Sequence, residues 1–146
     1  MEPWKLPPRI KVLEALGAIA DGRVKLEDGK AKVTGSDGKR EYEVKFDLKE
    51  RKIDSNDNGS VFKGYLGYPS IAVLMLKRVL PFDEKISEAL KGIRWRELNE
   101  KYKSYFKTEF VVKRIAERRG VKQEKIDEFV ERVLEEIKKW GFKKYT

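Results

Sequence analysis

The 146-residue sequence contains no cysteine and no histidine. Their absence excludes thiol nucleophiles and zinc sites with Cys or His ligands, and it removes the most common general base of enzymes. Long apolar runs are missing as well. The most apolar run, SIAVLML at residues 70–76, is far too short to cross a bilayer, and the N-terminus lacks an apolar stretch of signal-peptide length. We therefore expect a soluble, cytoplasmic protein with no membrane partner and no cofactor.

Charge, in contrast, is abundant. Charged residues make up 40% of the chain, and 34 Lys and Arg against 25 Asp and Glu give a net charge of +9. Many lysines and glutamates, together with a single glutamine, predict a hyperthermophilic source. Residues 1–92 carry 18 basic and 15 acidic side chains, whereas residues 93–146 carry 16 and 10. The basic excess, which favours polyanionic partners, therefore lies mostly in the C-terminal third.

The first half of the chain predicts one helix followed by a sheet. Apolar residues at helical spacing from Ile10 to Ile19 indicate a helix that ends near Gly22. Beyond it, apolar and charged residues alternate over residues 24–53, and the turns EDG and SDG are typical of hairpins. The alternation predicts an antiparallel β-meander of four to five strands, with VFKGY at residues 61–65 as the candidate fifth.

From Pro69 onward the sequence predicts about five helices. The SIAVLML run forms the first, and the others are expected at residues 84–91, 95–106, 108–119 and 123–140. Helix, then sheet, then helices is the order of an α+β fold. We interpret residues 1–92 as an α+β core and residues 93–146 as a basic helical region packed on that core as one domain.

The stretch DSNDNGS at residues 54–60 has the opening pattern of a calcium-binding loop. Such a loop joins two helices and needs a glutamate at its twelfth position, which is Tyr65 when counted from Asp54. Asn, Asp and Gly also tolerate the left-handed backbone of turns. We therefore predict a strand-to-strand turn that holds no metal.

Two further short patterns are compatible with a catalytic site or an anion-binding site. Glu43 and Lys45 on a predicted strand resemble the Glu-x-Lys pair of the PD-(D/E)xK metal-dependent nucleases, which also need an aspartate on the preceding strand. Asp37 is the candidate for that aspartate, but it lies in a predicted turn. The alternative is that Glu43 and Lys45 simply form the solvent-facing side of an alternating strand. Near Pro69, free backbone N–H groups at a helix start and Lys63 offer an anion site, with a tight loop as the alternative.

The most basic part of the sequence runs from Arg94 to Lys122. We predict that its ten basic residues contact nucleic acid: Arg94, Arg96, Lys101, Lys103, Lys107, Lys113, Arg114, Arg118, Arg119 and Lys122. On one continuous helix the aromatic residues would share the core side, and Arg96, Lys103 and Lys107 would form an outer stripe able to follow phosphates. Glu100 lies in that stripe, so a solvated, salt-bridged face is the alternative interpretation.

Residues 115–130 resemble a helix-turn-helix motif, because apolar or turn residues such as Ile115, Gly120 and Phe129 stand where that motif has them. The second helix of the motif would expose several acidic side chains, which phosphates repel. We therefore expect nucleic acid on the basic helix before Gly120 and on the C-terminal KKWGFKKY rather than on the second helix.

These patterns favour a non-enzymatic, sequence-tolerant nucleic-acid-binding protein, RNA- or ribosome-associated, that holds the RNA or DNA backbone through clustered Lys and Arg. A protein–protein interaction domain with a protein partner and no nucleic-acid role is the first alternative. A metal-dependent nuclease built on Glu43 and Lys45 is the weaker alternative.

Overall fold

The structure, a computed structural model, describes residues 2–145. The strands are β1 (Val24–Glu27), β2 (Lys30–Thr34), β3 (Glu41–Asp47) and β4 (Lys52–Ser55). The helices are α1 (Arg9–Ala20), α2 (Tyr68–Leu76), α3 (Glu84–Ala89), α4 (Trp95–Tyr102), α5 (Tyr105–Arg118) and α6 (Gln123–Trp140), and a π-helical turn spans Gly59–Lys63. An N-terminal helix, a sheet and then several helices confirm the predicted α+β fold.

The sheet is a four-stranded antiparallel meander with the strand order β1-β2-β3-β4. Val33 pairs with Tyr42 across β2 and β3, and Phe46 pairs with Ile53 across β3 and β4. Successive side chains alternate between the two faces, so one face is buried and apolar and the other is charged and exposed. The predicted meander is confirmed, but the candidate fifth strand is wrong, because residues 61–65 begin within the π-helical turn.

Helix α1 lies at the centre of the molecule. Every residue from Val12 to Ala18 is buried, so the helix has no solvent-facing side. Helix α2 lies between α1 and strands β1, β3 and β4, while α3, α5 and α6 pack against other sides of α1. A helix that is apolar nearly all round needs neighbours on every side. The layers of the fold follow from that requirement.

The two ends of the chain meet beside β4. The backbone N–H of Ile53 donates to the Lys143 carbonyl (3.0 Å), and that of Trp4 donates to the Phe142 carbonyl (2.9 Å). Both predicted regions of the chain contribute side chains to one hydrophobic core. Within residues 2–145, no helix has the length and apolar character needed to span a bilayer.

The basic region is divided between two helices where we expected one. Lys103, directly after α4, takes the left-handed conformation (φ 50°), and Ser104 then caps α5. The Ser104 hydroxyl accepts a hydrogen bond from the backbone N–H of Lys107 (3.2 Å), which favours a new helix start. The predicted continuous helix over residues 95–106 is therefore wrong, and Thr108, where we expected the next helix to begin, lies buried inside α5.

The same break overturns the expectation that the aromatic residues of this region share a core side. Trp95 is buried, but Tyr105 and Phe106 are exposed. Lys103, in the left-handed conformation, changes the direction of the chain between α4 and α5. Residues that would lie on one side of a single continuous helix therefore lie on two helices with different directions. For the same reason, the predicted stripe from Arg96 to Lys107 does not lie along a single helix.

Gly17 and Trp95 determine how closely α1 approaches α4. A Cβ atom at position 17 would lie 2.6 Å from the indole Nε1 of Trp95, closer than side-chain packing permits. We expect Gly17→Ala to lower the free energy of unfolding by about 1–3 kcal/mol, the usual cost of overpacking a core, as measured by chemical denaturation. In a Trp95→Leu background the clash is absent and the cost should shrink. An equal cost in both backgrounds would contradict the contact.

Candidate functional site

A cavity of about 570 Å³ opens where α1, the β2–β3 turn, the π-helical turn and α4 meet. Its size lies within the range of small-molecule sites, about 300–1,000 Å³. Helix α1 contributes Lys11 and Glu14 to its wall, and α4 contributes Asn99. Four tyrosines also line it: Tyr42, Tyr65, Tyr68 and Tyr105.

Glu14 is a deeply buried charge in this wall, with 4% of the residue exposed. The Lys11 Nζ lies 3.3 Å from Glu14 Oε2, and the Asn99 amide nitrogen donates to Glu14 Oε1 (3.0 Å). A charge this deep is tolerated only when it is paired and hydrogen-bonded. Removing one partner of such a pair costs about 3–5 kcal/mol. Lys11, Glu14 and Asn99 therefore form one fixed polar group, which we call the cavity triad.

Burial and neighbouring charges shift the pKa values of Lys11 and of the adjacent Tyr65. Burial alone would lower the pKa of Lys11, but the charge of Glu14, with Tyr105 and Tyr65 nearby, outweighs it and raises that pKa above its ordinary 10.5. Burial raises the pKa of Tyr65 to about 12, against the opposing charge of Lys11. At neutral pH the wall therefore presents a stable ammonium group beside an un-ionised phenol.

Two buried polar atoms of residues in the cavity wall have no hydrogen-bond partner among the described residues: Asn99 Oδ1 and Trp95 Nε1. The Asn99 amide is oriented by Glu14, because only its nitrogen can donate to a carboxylate. Leaving a buried polar atom unpaired costs about 1–3 kcal/mol. Trp95 Nε1 packs against Gly17 of α1 and does not face the cavity, so Asn99 Oδ1 is the unpartnered atom that bears on it. The size and the polar, aromatic lining of the cavity mark it as a candidate site.

The DSNDNGS stretch lies beside the cavity and uses its polar side chains to bond the chain itself. The Asp57 carboxylate accepts hydrogen bonds from the backbone N–H (3.1 Å) and hydroxyl (2.8 Å) of Ser60. Asn56 Oδ1 accepts from the backbone N–H of Glu43 (2.9 Å). The stretch is a turn, as predicted, but it connects β4 to the π-helical turn rather than to another strand.

Asp57 also determines the chemistry of the helix start that we considered as an anion site. Its carboxylate packs against Gly67, the N-cap of α2, so closely that no side chain fits at position 67. A carboxylate of the protein therefore already lies at the positive end of the α2 dipole. It would repel a second anion there.

The structure does not bring Asp37 to the nuclease-like pair. Glu43 and Lys45 project from the exposed face of β3, whereas Asp37 lies in the β2–β3 turn, 3.6 Å from Arg96. A hydrogen bond from the backbone N–H of Lys39, together with the charge of Arg96, holds the pKa of Asp37 below its usual value. Over residues 2–145, no three acidic side chains cluster in a way that could hold a metal ion.

Exposed aromatic and basic side chains line the mouth of the cavity, and Phe106 follows one of them, Tyr105, in sequence. Phe62 is 77% exposed and Phe106 is 81% exposed, and Tyr105 lies beside Phe106 at the start of α5. Lys63 and Lys103, both exposed, line the cavity with Phe62 and Tyr105. Large exposed apolar side chains in a group indicate a binding surface. We call Phe62, Lys63, Lys103, Tyr105 and Phe106 the rim.

The ten basic residues predicted to contact nucleic acid fall into two groups. Four are bonded within the protein: Arg94, Arg96, Lys113 and Arg119. Arg119, for example, donates to the carbonyls of Ala89 (2.9 Å) and Lys91 (2.7 Å), which attaches the end of α5 to the α3 region. Six are exposed and have no ion pair within the described part of the chain: Lys101, Lys103, Lys107, Arg114, Arg118 and Lys122. Only Lys103 of these six lines the cavity.

The region that resembles a helix-turn-helix motif is held firmly to α1. Its apolar frame is buried at Val121, Ile126 and Phe129. Arg9 of α1 binds Asp127 of α6 at 2.8 Å, and the same carboxylate lies 2.9 Å from Lys113 of α5. The acidic side of α6 is thus partly neutralised by the protein's own cations.

Sequence reasoning missed the cavity triad. The available signal was the run VLEALGAIA, which is apolar on every side of a helix and therefore predicts full burial. A Lys and a Glu three residues apart on such a helix must be buried together, and buried charges are uncommon outside functional or structural pairs. Asn99 and the tyrosines gave no comparable signal, since they come from separate elements.

The fold and the cavity define an α+β protein with a polar, aromatic-lined pocket beside its basic region. The chain belongs to the family described as Uncharacterised conserved protein UCP014422, whose model matches residues 4–143. No curated protein and no solved structure matches it significantly.

The raised pKa of Lys11 predicts a specific loss of stability in alkali. Because the folded-state pKa lies above the ordinary 10.5, the ion pair contributes its full stability below that pH and loses it as the pH rises further. Lys11→Met removes this contribution, so its unfolding free energy should fall less steeply than that of the wild type between about pH 9.5 and pH 11.5. The check is urea denaturation across that range. Parallel curves for the two proteins would contradict the raised pKa.

Proposed function

We propose that the protein is a non-enzymatic, sequence-tolerant binder of single-stranded nucleic acid, with RNA as the first candidate, and that the rim is its contact surface. The observation that carries the proposal is the exposure of Phe62 and Phe106 in the same surface region as Lys63 and Lys103, two exposed lysines that form no ion pair within residues 2–145. Bases of any sequence stack on exposed aromatic rings, and lysines contact the phosphates between them.

The electrostatics support a single strand better than a duplex. Reading a duplex requires a helix or ribbon that enters a groove, and α6, the second helix of the motif-like region, carries acids that phosphates repel. The rim instead combines aromatic side chains with Lys63 and Lys103 at one opening. The net charge of +9 adds long-range attraction for any polyanion.

The rim aromatics should be needed for binding. We expect Phe62→Ala with Phe106→Ala to weaken binding of a fluorescent single-stranded RNA by about 1–3 kcal/mol per lost stacking contact. The melting temperature should change little, because both side chains are exposed. Phe82→Ala is the matched control, since Phe82 is also an exposed phenylalanine but lies between α2 and α3, outside the rim. Fluorescence anisotropy measures the affinity.

Rim and neighbouring lysines should set the salt dependence. Reversing the charge at Lys63, Lys103 and Lys107 should weaken RNA binding and lower the slope of log affinity against log salt by about one unit for each lost phosphate contact. The control makes the same charge reversal at three exposed lysines elsewhere: Lys49, Lys85 and Lys138.

If the two triple variants lose the same RNA affinity, the binding reflects only non-specific attraction of RNA to a basic protein, and the rim is not the contact surface. If the wild type binds neither RNA nor DNA at low salt, the nucleic-acid function fails. The rim then fits the alternative of a protein-interaction domain, because exposed aromatic side chains also serve protein interfaces.

A further inference from the structure

We propose that the cavity is a pocket for one nucleobase, which leaves the stacked strand on the rim and inserts beside the cavity triad. The inference rests on the proposed function, because the base would belong to the bound strand. The cavity opens directly at the rim: Phe62, Lys63, Lys103 and Tyr105 line both. A base that unstacks from Phe62 therefore meets the cavity mouth next.

The charge of the lining favours an uncharged group over a phosphate. Four cationic side chains line the cavity: Lys11, Lys63, Arg96 and Lys103. Four carboxylates oppose them: Glu14, Asp37, Asp57 and Glu100. An anion inserted among these carboxylates would gain little net attraction. Phosphates would instead stay outside, near the lysines of the rim.

The shape and lining suit a flat aromatic ring. Tyr42 and Tyr68 meet edge to face with their ring centroids 6.1 Å apart, and Trp95 also lines the cavity. The volume of about 570 Å³ accommodates a nucleoside. Aromatic walls bind heteroaromatic rings through offset or edge-to-face contacts.

The cavity triad provides polar partners for the edge of a base. The Lys11 ammonium has three N–H donors, and Glu14 and Asn99 add acceptor oxygens beside it. The Asn99 Oδ1 atom is buried and has no partner among the described residues, so a ligand N–H would satisfy it once the side chain rotates toward the cavity. All four bases present a donor next to an acceptor, which fits a sequence-tolerant pocket.

The test is calorimetric titration of the wild-type protein with each of the four ribonucleosides and, separately, with ribose 5-phosphate. We expect the nucleosides to bind with dissociation constants between about 10 µM and 1 mM, in the range of small ligands in a single pocket. Ribose 5-phosphate, which has the sugar and phosphate but no base, should bind at least about tenfold more weakly.

Two variants locate the binding. Asn58→Trp puts a large ring on an exposed residue of the cavity lining and should weaken nucleoside binding at least about tenfold, because it fills the mouth. Val61→Trp is the matched control: Val61 is exposed in the same turn but does not line the cavity, so affinity should be unchanged. Asn99→Leu should also weaken binding, and a melting curve of each variant shows that it remains folded.

The base pocket is wrong if no nucleoside binds at about 5 mM, if ribose 5-phosphate binds as well as the nucleosides, or if Asn58→Trp binds them as the wild type does. This failure is distinct from failure of the proposed function. RNA that binds through the rim while nucleosides do not bind overturns the pocket alone. Nucleosides that bind and are blocked by Asn58→Trp, with no binding of RNA, support the pocket and overturn the nucleic-acid function.

Discussion

The ion pair between Lys11 and Glu14 is the constraint on which the rest of the structure depends. It lies on α1, the helix that every layer of the fold covers, where an unpaired charge would be intolerable. Glu14 therefore requires Lys11 on its own helix and Asn99 from α4. That requirement fixes the position of α4 against α1 and keeps a polar cavity open between them.

The approach of α4 depends on small residues as well as on charge. Gly17 lets the Trp95 indole lie directly on α1, and Ser36 accepts a hydrogen bond from the backbone N–H of Arg96 (3.1 Å), which ties α4 to the β2–β3 turn. Once α4 is fixed, the left-handed Lys103 turns the chain so that α5 begins beside the cavity. The positions of Tyr105 and Phe106 at the start of α5 follow from that turn.

Local patterns were sufficient to predict the architecture. The helical spacing up to Ile19 and the alternation over residues 24–53 depend only on neighbours in sequence, and α1 and the meander were confirmed. The break at Lys103 was missed because it depends on the Ser104 hydroxyl, which caps α5. The hydrophobic pattern of residues 95–106 contains no sign of that cap.

The candidate site was harder to predict, since its parts come from distant segments. The cavity triad joins residues 85 apart in sequence, Glu14 and Asn99. A helical wheel assigned Phe106 to the core because it assumed one helix. The basic composition of residues 94–122 assigned Lys113 and Arg119 to nucleic acid, although Lys113 is paired with Asp127 and Arg119 donates to backbone carbonyls. A count of charged residues in the sequence does not show which basic side chains are already paired within the fold.

In the proposed function, the charge-balanced pocket and the basic aromatic rim have separate tasks in binding a single strand. The lysines of the rim would attract phosphates over long distances without selecting sequence. Aromatic rings hold bases through their faces, which every base has. The proposed base pocket adds a hydrogen-bonding environment in which one base would exchange contacts with water for contacts with the cavity triad.

The most direct test is a titration of the ¹⁵N-labelled protein with a short single-stranded RNA, followed by amide chemical-shift changes. We expect the largest changes at the rim residues Phe62, Lys63, Lys103, Tyr105 and Phe106, with smaller changes at the cavity triad. Changes confined to α6, or spread evenly over all exposed lysines, would contradict this expectation.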